Sequence, residues 1–146
     1  MTKIVALGAG RMGRGIAQVF AYAGYEVAIV DFKERLPGQG TKLLEEAKNE
    51  VSDNLTLLKS LDSVQENEIQ NTLDRIEGVP LTHAEEILAQ ADYIFEGVPE
   101  VLQVKEDVIS RVSAISGPDT VIASTTSTIL STTLAAFTSK PTHFLN

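Results

Sequence analysis

The chain of 146 residues contains no cysteine. A disulfide framework or a thiolate metal site is therefore excluded within it. Basic residues are scarce: 12 Lys and Arg against 20 Asp and Glu give a formal net charge of −8. Non-specific nucleic-acid binding needs a basic footprint, so that class is disfavoured. Long apolar runs are missing too. Stretches such as Val27-Ala28-Ile29-Val30 are strand-sized, far below the roughly 18 residues of a membrane-spanning helix. The start, Met1-Thr2-Lys3, shows no charged leader with an apolar signal core, so a cytoplasmic location is the default expectation. No internal repeat, low-complexity tract or linker interrupts the chain. What is present is 43% apolar and 22% charged residues, enough for one domain that buries roughly 68–70% of its unfolded surface.

Periodicity predicts the elements. Residues 3–8 are apolar, end on glycine and read as a buried strand. Residues 11–24 place Met12, Ile16, Val19, Phe20 and Ala23 at helical spacing, with Gly24 as a stop. Residues 26–31 read as a second strand, which completes a βαβ unit. Residues 40–74 form an acidic excursion predicted as two helices, roughly 40–59 and 64–74. Strand and helix then alternate: strand 75–79, helix 82–90, strand 92–98, helix 101–116, strand 120–124 and a short helix 131–138. Thr82 is expected to cap its helix, with Glu85 closing a capping box. The 101–116 helix has apolar positions 101, 104, 108, 112 and 115, and "HFLN" opens a further strand. The implied fold class is α/β: a Rossmann-type doubly wound, mostly parallel sheet with a helical hairpin inserted between strands 2 and 3.

Gly8-Ala9-Gly10-Arg11-Met12-Gly13 matches G-x-G-x-x-G between a strand and a helix, with an acid, Asp31, closing the second strand. Gly8 permits the tight turn, Gly10 lets a pyrophosphate approach the backbone, and Gly13 lets the helix pack close to the sheet. The phosphates would lie on the free amides at the start of the helix, at Arg11, Met12 and Gly13. Asp31 would accept hydrogen bonds from the adenosine ribose, which favours NAD over NADP. Lys33 and Arg35 lie close by and could receive a 2′-phosphate; the blander reading makes them solvated loop residues.

Residues 8–31, together with "ADYIFEGVPEVLQVKEDV" (91–108) and "IASTTSTILSTTLAAFTSKP" (122–141), resemble the N-terminal domain of the L-3-hydroxyacyl-CoA dehydrogenase family. That family includes 3-hydroxybutyryl-CoA dehydrogenases and relatives acting on L-gulonate or carnitine. The resemblance spans nearly the whole chain and implies an NAD-dependent oxidoreductase. Glu100 and Lys105 match the family's E-x-x-x-x-K beside the nicotinamide half of NAD. Their alternatives are a helix cap and a solvated lysine. Ser127 matches the first serine of N-T-S-S-L, a supporting catalytic group near the nicotinamide. Thr125 replaces the asparagine usual there. The 40–74 excursion corresponds to the family's acyl-CoA contacts, with Lys42, Lys48 and Lys59 as unassigned candidates.

The resemblance also implies the chemistry: reversible hydride transfer between C3 of a 3-hydroxyacyl substrate and the nicotinamide, with a histidine removing the hydroxyl proton. Counting from Ser127 and from Pro141 puts the family's histidine two residues past Asn146. His143 is then expected to be an ordinary strand or loop residue, and His83 a surface one. A helical, dimerising C-terminal domain is expected beyond residues 1–146, so this chain alone would bind NAD but turn over poorly. A free 3-hydroxy acid substrate, a split enzyme or a non-catalytic NAD-binding module are the alternatives. No metal, nucleic acid or membrane partner is expected.

Overall fold

The computed structural model describes residues 1–146. Six strands form one wholly parallel sheet: β1 (Lys3–Leu7), β2 (Glu26–Val30), β3 (Ile76–Val79), β4 (Tyr93–Glu96), β5 (Val121–Ser124) and β6 (Phe144–Leu145). Their spatial order is β3-β2-β1-β4-β5-β6. The winding reverses between β1 and β4, and ligands of such sheets sit at that crevice, outside the carboxyl ends of the strands.

Successive strand side chains point to opposite faces, so each central strand serves two cores. Ile4, Ala6, Val27 and Ile29 pack into one. Val5, Leu7, Ala28 and Val30 pack into the other. The first core is covered by α1 (Arg11–Tyr22), α2 (Gln39–Ser60) and α3 (Glu66–Asp74); α4 (Leu81–Ala89), α5 (Leu102–Ile115) and α6 (Ser131–Ala135) cover the second. The expected hairpin between β2 and β3 is therefore α2 and α3. It buries Leu44, Ala47, Val51 and Leu55 at spacings of 3 and 4. The Gln65 N–H at the start of α3 donates to the Glu68 carboxylate at 2.7 Å.

Four helices differ from expectation. In α1 the buried stripe is Gly13, Ala17 and Ala21, while Met12 and Val19 are 50% and 64% exposed. The small residues face the sheet because Gly13 must lie against the glycine turn, and that contact fixes the helix rotation. In α4, Pro80 occupies the cap position with extended backbone and the helix starts at once, so no side-chain cap forms. Thr82 falls inside the first turn, and its hydroxyl contacts His83 Nδ1 at 3.1 Å. In α5, Val101 and Val104 are exposed, and the buried stripe runs through Lys105, Val108, Ile109 and Val112. Helix α6 also ends early, at Ala135.

Register levels the carboxyl ends of the strands. Leu7 pairs with both Val30 and Glu96, Val30 pairs with Val79, and Glu96 pairs with Ser124. Gly8, Asp31, Gly97 and Thr125 therefore follow their strands onto one shared rim.

Candidate functional site

The glycine turn stands at the middle of this rim. Gly8 has φ +104°, a conformation that side chains with a Cβ rarely adopt, and its N–H donates to the Val30 carbonyl at 2.8 Å. A Cβ on Gly13 would lie 1.8 Å from the Gly8 carbonyl oxygen, so helix and strand touch backbone to backbone there. Gly10 is different. A Cβ on it would meet nothing within 4 Å, and as the cap of α1 it supplies no side-chain acceptor. The first amides of a helix have no partner within it, and the N–H groups of Arg11, Met12 and Gly13 find no acceptor elsewhere in the protein. Three unpaired donors at the positive end of a helix, with open space beside Gly10, fit a pyrophosphate.

To one side of the turn lies Asp31, 4% exposed. Arg35 grips it with two hydrogen bonds, Nε to Oδ2 at 2.5 Å and Nη2 to Oδ1 at 3.1 Å. Arg35 is an exposed loop residue, as the blander reading has it, but the loop turns back on itself and also pairs its guanidinium with a buried carboxylate. Hydrogen bonding to Asp31 raises the Arg35 pKa. Lys33 is exposed, as expected. A cavity of about 400 Å³ opens beside the pair, lined among others by Lys33, Gly38, Thr41 and Pro80.

To the other side, the ends of β4 and β5 hold a polar cluster. Glu96 and Lys105 are both 0% exposed. Lys105 Nζ donates to both oxygens of Glu96, at 2.8 and 3.0 Å, and to the Val98 carbonyl at 3.2 Å. It also lies 3.4 Å from Glu100 Oε2. The solvated-lysine alternative is thereby excluded. Lys105 sits beneath the rim and meets its exposed side through Glu100.

Glu100 in turn organises the loop after β5. Its Oε1 accepts from Thr126 Oγ1, from the Ser127 and Thr128 amides at 3.2 and 3.1 Å, and from Thr128 Oγ1 at 2.9 Å. The Thr126 hydroxyl foremost, then the Thr128 and Ser127 donors, hold the Glu100 pKa down at about 2. Glu100 therefore does not cap α5, whose cap position is Val101. Ser127 is exposed and gives Glu100 only its backbone amide. The two halves of the rim meet at Gly97, where a Cβ would come within 3.3 Å of Met12 Cβ.

Glu96 escaped the sequence reading. The available signal was an acid closing an otherwise apolar strand, with a lysine nine residues on. The remaining candidates lie apart from the rim or are already engaged. His143 ends a 3-10 turn, Pro141–His143. Its only side-chain hydrogen bond is with Thr142, and that of His83 is with Thr82. Lys48 donates to the Ile76 carbonyl at 3.2 Å, Lys59 pairs with Glu66, and Lys42 stays exposed beside Glu46. A further cavity, about 650 Å³, lies at the opposite end of the sheet, around Lys3, Glu26 and Arg75. No group of three or more His, Asp or Glu is placed to hold a metal ion. No helix is long and apolar enough to cross a membrane.

Residues 3–146 match the family model described as 3-hydroxyacyl-CoA dehydrogenase, NAD binding domain. Among curated relatives, the 3-hydroxybutyryl-CoA dehydrogenase of Bradyrhizobium diazoefficiens is 34% identical over 98% of this chain and 45% of its own length. The human mitochondrial hydroxyacyl-coenzyme A dehydrogenase is 31% identical over 97% of this chain and 44% of its own. The crystal structure of (S)-3-hydroxybutyryl-CoA dehydrogenase from Ralstonia eutropha superposes with a TM-score of 0.86 at 29% identity, covering 99% of this chain and 47% of that one. The chain thus spans about half the length of the relatives it matches.

Proposed function

The chain belongs to the 3-hydroxyacyl-CoA dehydrogenase family, as its NAD-binding domain, and from that premise we propose that it forms the cofactor-holding half of an enzyme oxidising 3-hydroxyacyl-CoA. The substrate class is that of 3-hydroxybutyryl-CoA, and the product is the 3-ketoacyl-CoA. When bound, NAD takes up or returns the hydride. The chain's own residues bind and orient. The amides of Arg11, Met12 and Gly13, above the Gly8–Gly10 turn, take the pyrophosphate, and Asp31 takes the ribose hydroxyls of the adenosine half. Glu100, Ser127 and the buried Lys105 serve the nicotinamide half from the β4–β5 side. A histidine two residues past Asn146, just after β6, supplies the base, and a helical, dimerising domain follows it; the relatives' roughly doubled length supports that further domain.

The observation that carries this reading is the joint placement of three unpaired helix amides, the open face of Gly10 and Asp31 on one rim. Isothermal titration of the folded protein with NADH tests it, and absence of binding would overturn it. Light scattering on the full-length protein tests the homodimer. A free 3-hydroxy acid is the second reading, favoured by Lys48 being engaged with the Ile76 carbonyl of β3 and Lys59 with Glu66 of α3. Turnover of acetoacetyl-CoA against free 3-hydroxy acids by the full-length protein separates the two.

A further inference from the structure

β4 is a central strand, paired with β1 and β5, yet it closes on a carboxylate without solvent contact. Burying Glu96 and Lys105 together forfeits the hydration of both ions. An apolar pair of similar volume is often as stable or more so. General stability therefore does not account for this pair, and its local connections do.

Both Glu96 oxygens are used. Oε1 accepts from the Val98 amide at 2.8 Å and from Lys105; Oε2 accepts from Lys105 and from Ser124 Oγ at 2.5 Å. Two chains of contact leave this carboxylate. One runs through Lys105 to Glu100, which gathers the amides and hydroxyls of residues 126–128. The other runs through Ser124, whose Oγ accepts from the Thr126 amide at 3.2 Å. Both converge on the same loop, one from below and one from its first residue. The position of that loop matters because the sheet order separates the two halves of a dinucleotide. Asp31 follows β2, on one flank of β1, and the 126–128 loop follows β5, on the other. With the adenosine half at Asp31, the nicotinamide half lies on the loop's flank.

We infer that Glu96 is a positioning residue for the nicotinamide half of the cofactor. It holds Lys105 and the 126–128 loop in the arrangement that receives that half, and it has no part in holding the adenosine half. This rests on the NAD-binding reading above.

The test is titration of NADH and of ADP, separately, into the full-length wild type and the E96Q, S124A and I94V variants. ADP probes the glycine turn and Asp31 alone. Ile94 lies on the same strand in the core, so I94V controls for loosened packing. E96Q keeps the side chain's size and removes its charge. It is expected to weaken NADH by about tenfold, the lower end of what loss of an outer orienting partner costs, while ADP binds as in wild type. S124A is expected to weaken NADH several-fold, again without effect on ADP, and it carries the test if E96Q does not fold. I94V is expected to leave both affinities near wild type. Wild-type NADH affinity in E96Q and S124A would overturn the inference. So would a parallel loss of NADH and ADP in these variants. A wild type that binds neither ligand would overturn the NAD-binding reading itself, a result distinct from both.

Discussion

Arg35 lies on Asp31 with two hydrogen bonds, so the carboxylate expected to meet the adenosine ribose is already paired by a cation four residues away. Ribose hydroxyls must compete with the guanidinium, and a 2′-phosphate at the same place would find it as a partner. R35A is therefore expected to raise the preference for NADH over NADPH by about tenfold, a change of about 1.4 kcal/mol. The ratio of the two dissociation constants measures it. An unchanged or lowered ratio would remove Arg35 from cofactor selection.

Gly13 and Gly10 should part company under the same substitution. G13A puts a methyl group 1.8 Å from a backbone oxygen, and overpacking of this kind costs about 1–3 kcal/mol or more. G10A places its methyl in open space at φ −85°, so its stability should stay within about 0.5 kcal/mol of wild type. Its NADH affinity should nevertheless fall, because the methyl group takes the space a pyrophosphate would enter. Urea unfolding and NADH titration of both variants check this. A G10A protein with intact NADH binding would contradict the assignment of that space.

Glu100 supplies a pH prediction. Its ordinary pKa of 4.5 is lowered to about 2 in the folded protein by the Thr126, Thr128 and Ser127 donors. The folded state thus favours the carboxylate. The stability Glu100 contributes is fully present above pH 4.5 and is lost as the pH falls from there toward 2. In E100Q the unfolding midpoint should vary less across that window. Identical acid limbs for the two proteins would show that the depressed pKa is not coupled to folding.

Arg14 makes a tether of a different kind. Its Nε donates to the Ala9 carbonyl at 2.8 Å, and its Nη1 pairs with Glu50 on α2, so it joins the glycine turn to the helical hairpin. The Glu50 side chain keeps 44% of its surface in water, so the pair should contribute only about 1 kcal/mol in a double-mutant cycle. Removing Arg14 is expected to disturb the turn instead, and R14A should weaken NADH more than E50A does. Equal losses would place the effect in the ion pair.

The sequence made the strands, the glycine turn and Asp31 legible because each depends on neighbours within a few tens of residues. Apolar runs end on glycine or acid, and the 3.6-residue period marks the hairpin. The rotation of α1 was not legible, since Met12 and Val19 read as core until Gly13 fixes which face meets the sheet. Arg35 was hidden for a related reason: it pairs with Asp31 through a loop whose path no periodicity describes. The partners of Glu96 come from β5, α5 and the turn after β4. Only the sheet order makes Ser124 its neighbour.

The three glycines of the turn answer to different masters. Gly8 and Gly13 leave no clearance between the protein's own backbones, while Gly10 leaves all of its clearance to something outside the chain. A descendant that had given up dinucleotides would still have to keep the first two in order to fold, and would be free to change the third. In a protein built this way, Gly10 is the residue whose loss would report that the trade had changed.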